Sequence, residues 1–163
     1  FGHDTQAYAR FMRALPAPPR EFTSSATDDA RAGERLFGSV GCAACHVPTW
    51  TTAPVGSTPA GLPPVGPALG SKVIHPYSDF LLHDVATGDT EVVQGGGPET
   101  RKMLRTATLW GVRTVPELGH DGRWATFGEA IEGHGGQAAA ARAKYRALTD
   151  GEKRQLRAFL LSL

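Results

Sequence analysis

The stretch SVGCAACHVPTW, Ser39 to Trp50, holds the chain's only two cysteines, Cys42 and Cys45, with His46 directly after the second. Three common uses of paired cysteines fit poorly. A redox dithiol calls for a strand ahead of it and a βαβ context, whereas the residues upstream carry a helical pattern. A zinc site calls for a second ligand pair at matching spacing, and no later C-x-x-C or H-x-x-x-H is present. A disulfide across two residues closes a tiny loop and constrains little of the unfolded chain. The reading that uses all three side chains is covalent attachment of one haem c. The two thiols form thioethers with the porphyrin vinyl groups, and the adjacent imidazole reaches the iron from the proximal side. Because attachment takes place outside the cytoplasmic membrane, the expected location is periplasmic or extracellular.

Outward from this segment, the pattern is helical at both ends and irregular between. Thr27 is placed to cap a helix with Asp28 and Asp29 in its first turn, where the dipole favours negative charge. That helix carries Ala30, Gly33, Leu36 and Phe37 on one face, and a glycine there predicts the close crossing of another helix. The C-terminal segment, with Leu156, Phe159, Leu160 and Leu163 on one face behind a Thr149/Glu152 capping box, is the natural partner. Thr126 and Glu129 form a second capping box, before a short helix stopped at Gly135-Gly136. Near the start, Tyr8, Phe11, Met12 and Leu15 predict an amphipathic helix over Thr5–Leu15 stopped by Pro16, and a polar linker follows to Ser25.

Between these ends, residues 47–70 are rich in proline, glycine and threonine, and Val73 to Asp84 (VIHPYSDFLLHD) is apolar enough to be buried. A long irregular loop normally counts against a compact domain, but irregular chain can wrap a haem edge. The expected fold is mostly α, with few or no strands: an N-terminal helix and linker over 1–25, then a cytochrome c-like haem domain over 26–163 with long Pro/Gly-rich loops. A formal charge of +1 without a basic run gives no reason to expect nucleic acid, and no run of residues is apolar enough to span a membrane. A chain opening on Phe1 is expected to be a processed product or a fragment.

The far side of the iron decides function. Two strong protein ligands leave electron transfer as the main activity, whereas an open position admits peroxide or another small molecule. The candidate sixth ligands are Met103, His75, His83, His120 and His134. Met103 is the only methionine after His46, and His134 stands at a helix end before two glycines, where backbone can approach a flat ring.

Five segments follow one another in order: RLFGSVGCAACHVPT, IHPYSDFLLHD (Ile74–Asp84), RTATLWGVR (Arg105–Arg113), HDGRWATFGEAIEGHGG (His120–Gly136) and LTDGEKRQLRAFLLSL. Together they resemble the C-terminal haem domain of the di-haem oxidoreductases, labelled di-haem peroxidases or thiol oxidoreductase-like proteins. Bacterial di-haem cytochrome c peroxidases and MauG-type proteins are relatives. The resemblance covers about Ala32 to Leu163, and FMRALPAPPR (Phe11–Arg20) is similar to the segment joining the family's two halves. It implies His134 as the distal ligand and places His120 and Asp121 near the haem; Met103, at a separation from His46 like that in small cytochromes c, is the alternative. The family commonly reads HDMG where this chain has His83-Asp84-Val85-Ala86, and tryptophan where it has Leu104. The second haem motif, expected in the family's other half, is absent from these 163 residues.

Two activities follow as expectations. One is a single-haem electron-transfer domain, His46 proximal and His134 distal, exchanging electrons with a redox partner protein or a second haem domain. The alternative is a peroxidase or MauG-type oxidoreductase with an open distal site. Such chemistry needs a proton acceptor and a cation near bound peroxide, for which His120 or Glu129 and Arg123 are the candidates.

Overall fold

The structure, a computed structural model, describes residues 2–88, 90 and 92–163, so Phe1 lies outside the described residues. In chain order the α-helices are α1 (Gly2–Ala14), α2 (Phe22–Ser25), α3 (Asp28–Val40), α4 (Phe127–Gly133), α5 (Ala139–Arg146) and α6 (Asp150–Leu161). Short 3-10 turns occupy Cys42–Ala44, Pro98–Lys102, Val112–Thr114 and Gly136–Ala138. Strand content is small: β1 (Trp50–Thr51) pairs antiparallel with β2 (Val73–Ile74), and β3 (Leu82–His83) with β4 (Leu104–Arg105). The chain is mostly α.

Helices α3 and α6 form the frame. Thr27 caps α3 by accepting the Ala30 N–H at 3.1 Å. Thr149 and Glu152 cap α6 reciprocally, and Thr126 and Glu129 do the same for α4. At the crossing, a Cβ on Gly33 would stand 2.0 Å from the Gln155 carbonyl oxygen and 2.8 Å from Phe159 Cβ. Only a residue without a side chain lets the backbones approach so closely. The crossing buries Phe37, Val40, Leu156, Phe159, Leu160 and Leu163, with Tyr77, Val112 and Tyr145 packed among them. Burying an aromatic or leucine side chain contributes about 1.5–3 kcal/mol, so this cluster is the main source of cohesion.

Three segments depart from the sequence expectation. In α1 the helix forms, but Tyr8, Phe11, Met12 and Leu15 are 68%, 60%, 49% and 48% exposed, so its apolar stripe faces away from the core. The expected linker is docked at its far end. Glu21 caps α2 through the Thr23 and Ser24 N–H groups, its backbone N–H reaches the Ser162 carbonyl at 2.9 Å, and Arg20 lies over the Phe159 ring at 5.0 Å. Within residues 73–84, Pro76, Tyr77 and Ser78 are buried, while Val73, Phe80 and Leu81 are exposed. Tyr77 and Phe80 adopt left-handed backbone, φ 52° and 61°, and those reversals turn alternate stretches inward and outward. Among the described residues, no helix is long and apolar enough to cross a membrane.

Candidate functional site

Helix α3 ends at Gly41, whose φ of 106° makes it a left-handed cap with its N–H on the Gly38 and Phe37 carbonyls. The chain then tightens into the 3-10 turn. The Cys45 and His46 N–H groups both reach back to the Cys42 carbonyl, at 3.3 and 2.9 Å. This turn presents Cys42, Cys45 and His46 together at the end of α3. Both cysteines are free thiols and half-buried. Burial, helped by the neighbouring Cys45, pushes the Cys42 thiol up to about 11. Burial, then the Asp79 carboxylate, raises Cys45 as well.

His46 is oriented from the other side. Its Nδ1–H donates to the Tyr77 carbonyl at 2.9 Å, and its ring lies 6.2 Å from that of Phe37. Because a carbonyl only accepts, this bond puts the proton on Nδ1 and leaves Nε2 the basic nitrogen. Burial chiefly holds His46 below its usual basicity; the Tyr77 carbonyl opposes this and the His134 imidazole reinforces it. Tyr77 is itself tied down: its ring meets Phe37 and Phe159 edge-on at 5.9 and 5.6 Å, and its hydroxyl donates to Glu34 at 3.2 Å. Burial and the Glu34 charge push that hydroxyl up to about 12, so it remains a donor.

His134 is the C-cap of α4 and has the same arrangement. Its Nδ1–H donates to the Ala130 carbonyl at 2.6 Å, which again leaves Nε2 basic. The Trp124 ring stacks on it at 6.4 Å and 27°. Gly133 makes room for that indole, since a Cβ there would meet Trp124 at 2.1 Å. The His134 imidazole also lowers the basicity of His46, and the two rings, far apart in the sequence, share one tautomer.

The other candidates are placed differently. His75 is exposed, with Nδ1 3.0 Å from the Thr49 hydroxyl. His83 pairs with Asp79 at 2.7 Å. Met103 is half-buried at the end of the Pro98–Lys102 turn, its carbonyl accepting from Gln94 Nε2 at 2.9 Å. His120 is exposed. Arg123 Nε donates to Asp121 at 2.7 Å, and its guanidinium lies over Trp124 at 5.7 Å. Glu129 accepts from the Ala125 and Thr126 N–H groups at 3.1 and 2.9 Å as part of the cap. Tyr77, Asp79, Trp124 and Gln137 are the residues that motif reading left out. For Asp79 and His83 a signal did exist, a carboxylate four residues before a histidine.

These features fit a c-type haem. Two uncrossed thiols share one turn with an imidazole, and both imidazoles have the basic nitrogen that metal ligation requires, each fixed by a carbonyl acceptor as metal-binding histidines usually are.

No curated protein matches the chain. Among solved structures, hydrazine synthase from Kuenenia stuttgartiensis, determined under xenon pressure, is similar in fold, with a TM-score of 0.53 at 20% identity over 91% of this chain. This chain spans about half of that one, 51%. Residues 1–163 match the family described as "Di-haem oxidoreductase, putative peroxidase". With the match covering its whole length, the chain belongs to the di-haem oxidoreductase family, and is a haem protein of mostly α fold.

Proposed function

We propose that this chain is a single-haem c electron-transfer domain with two imidazole ligands, His46 proximal and His134 distal. The observation that carries this reading is the matched pair of histidines, each with Nδ1–H on a backbone carbonyl and Nε2 basic, close enough to influence one another electrostatically. Cys42 and Cys45 would hold the group through thioethers, each S–H adding across a vinyl double bond without any oxidant. When bound, haem c supplies a one-electron ferric/ferrous couple. The protein's share is to fix both ligands in advance. Little rearrangement then accompanies the gain or loss of an electron, and two imidazoles favour a lower potential than a His/Met pair.

Peroxidase-type chemistry, named in the family's description, needs a free base and a free cation beside an open position. Glu129 is engaged in its cap, Arg123 in its pair with Asp121, and His120 is exposed. The electron is exchanged with a redox partner protein or a second haem domain, in the periplasm or outside the cell. The irregular chain between α3 and α4 wraps the haem, and residues 26–163 form the haem domain behind the 1–25 helix and linker.

Absorption spectra of the ferric and ferrous protein test this. A low-spin six-coordinate spectrum, unmoved by carbon monoxide or peroxide, is expected, and His134→Ala converts it to a high-spin, ligand-accessible form. A high-spin parent that reacts rapidly with peroxide refutes the reading. So does a His134→Ala spectrum like the parent's combined with a changed Met103→Ala spectrum.

A further inference from the structure

The segment around His83 lies between the two ligand loops and touches both. On one side, the Asp79 N–H donates to the Cys45 carbonyl at 2.7 Å, and the Ser78 N–H to the Val47 carbonyl at 3.0 Å, fastening this segment to the attachment turn. The donor atoms of Cys45, Asp79 and His83 all lie within 4.8 Å of one another. On the other side, the backbone just after His134 is clasped by residues 84–86. The Gly135 N–H reaches the Val85 carbonyl at 2.8 Å and the Gln137 N–H the Asp84 carbonyl at 2.9 Å. The clasp has no spare room: a Cβ on Gly135 would stand 2.9 Å from Ala86 Cβ, and one on Gly136 2.3 Å from the Asp84 carbonyl oxygen.

His83 spans the gap with its ring. Nε2 is 2.7 Å from Asp79 Oδ2 and Nδ1 is 3.2 Å from Gln137 Oε1. The identity of that amide oxygen is fixed by the Asp84 N–H, which donates to it at 3.1 Å. Burial works against ionisation of Asp79, but hydrogen bonds from Thr106, Leu81 and His83 outweigh it and hold the carboxyl below its usual range. Both ring nitrogens of His83 therefore face acceptor oxygens. The pair is shielded, with 20% of the His83 side chain and 9% of the Asp79 side chain exposed, so the bond to Asp79 is charge-assisted and little screened.

We infer that His83 is the positioning residue for the distal ligand. It joins the Cys45–Asp79 side to the Gly135–Gln137 loop and so sets where His134 stands relative to His46. The inference rests on His134 being that ligand. In this role His83 determines how firmly the distal position is closed, and a chain lacking it admits competing ligands to that position.

The test uses the haem-loaded protein and its variants, with ferric electron paramagnetic resonance and titration with free imidazole. His83→Phe removes both ring contacts, and Gln137→Leu removes the one to the distal loop together with the Asp84 N–H bond to the same oxygen. Gln137→Glu keeps an acceptor oxygen. Loss of a hydrogen bond of this kind corresponds to roughly a tenfold to hundredfold change in equilibrium. His83→Phe and Gln137→Leu are thus expected to raise the high-spin fraction and the imidazole affinity by that factor, with Gln137→Glu like the parent. If His83→Phe does not fold, as judged by far-ultraviolet circular dichroism, His83→Leu, which leaves the Asp84–Gln137 bond in place, is read instead. His134→Ala separates the two claims. If it opens the distal position while His83→Phe and Gln137→Leu leave the signals unchanged, the positioning role is overturned and the ligand assignment stands. If His134→Ala itself changes nothing, the ligand assignment falls and the positioning role with it. A Gln137→Glu effect as large as that of Gln137→Leu also overturns it, since the acceptor would then be immaterial.

Discussion

Gly33→Ala is expected to be among the most damaging single-methyl additions in the chain, although alanine is the better helix former. The new Cβ would lie 2.0 Å from the Gln155 carbonyl oxygen, 2.6 Å from its carbon and 2.8 Å from Phe159 Cβ. Ordinary contact begins near 3.4 Å, so α3 and α6 would have to separate by about 1.4 Å at their crossing. The obstacle is backbone, which cannot swing aside as a flexible side chain would. A gap of ~0.5–1 Å forfeits a quarter to a half of each dispersion contact, and the Phe37–Phe159 pair, 5.2 Å between ring centres, sits beside the crossing. Overpacking costs about 1–3 kcal/mol, and more where backbone must shift. The helix-propensity gain of ~1 kcal/mol opposes it. Taken at the upper end of that range, the net loss of about 2 kcal/mol lowers the melting temperature by roughly 4–8 °C in a chain of this size. Gly38→Ala is the matched comparison: same helix, exposed, nothing within 4 Å of the new methyl. It should stabilise by about 0.5–1 kcal/mol. Thermal unfolding of both haem-loaded variants, followed by far-ultraviolet circular dichroism, gives the answer. Equal stabilisation by the two substitutions would refute the close crossing.

Further outcomes follow from the site. Gly133→Ala places a methyl 2.1 Å from Trp124, so the indole leaves His134; stability falls by about 1–3 kcal/mol, and tryptophan fluorescence together with the low-spin spectrum reports the displacement. Thr126→Ala removes the α4 cap and costs about 1 kcal/mol, whereas Glu129→Gln keeps a capping oxygen and stays within ~0.5 kcal/mol in denaturant titrations. If Glu129 instead served proton transfer to peroxide, Glu129→Gln would slow that reaction at least about a hundredfold. In the haem-free chain, Cys42, pushed up to about 11, is mostly protonated at pH 8. Its alkylation by iodoacetamide should run about a hundredfold slower than for a free cysteine and rise about tenfold per pH unit until the thiol ionises. After haem attachment, neither Cys42 nor Cys45 should alkylate even in denaturant.

The parts of this fold that were readable from sequence are those governed by short-range chemistry. The Thr27, Thr126 and Thr149 caps depend on residues three positions apart, and each forms as expected. Gly33 was legible because a glycine inside an apolar helical face has few explanations other than close approach. The grouping of Cys42, Cys45 and His46 was legible because the three are near neighbours in the sequence. The Tyr77 contact to His46 was not, because it is a backbone carbonyl 31 residues away and any residue has one. Likewise the Asp79–His83–Gln137 chain joins side chains 54 residues apart, and no local pattern announces it. The α1 stripe shows the opposite failure. Its periodicity correctly gives a helix, but periodicity alone does not say what the apolar face meets, and among the described residues it is left largely exposed.

Tyr77 has one more consequence. Its carbonyl aims His46, its ring is wedged between Phe37 and Phe159, and its left-handed backbone, φ 52°, is held there at a cost of about 1–3 kcal/mol. One residue thus serves both as keystone of the core and as the rest on which the His46 imidazole leans, so no substitution there can re-aim that ring without loosening the molecule. Evolutionary adjustment of such a protein is steered to the opposite face, where the short α4 and the stacked Trp124 are tied to the frame by fewer buried groups. Divergence among descendants of this architecture should therefore accumulate around His134 while the surroundings of His46 stay frozen.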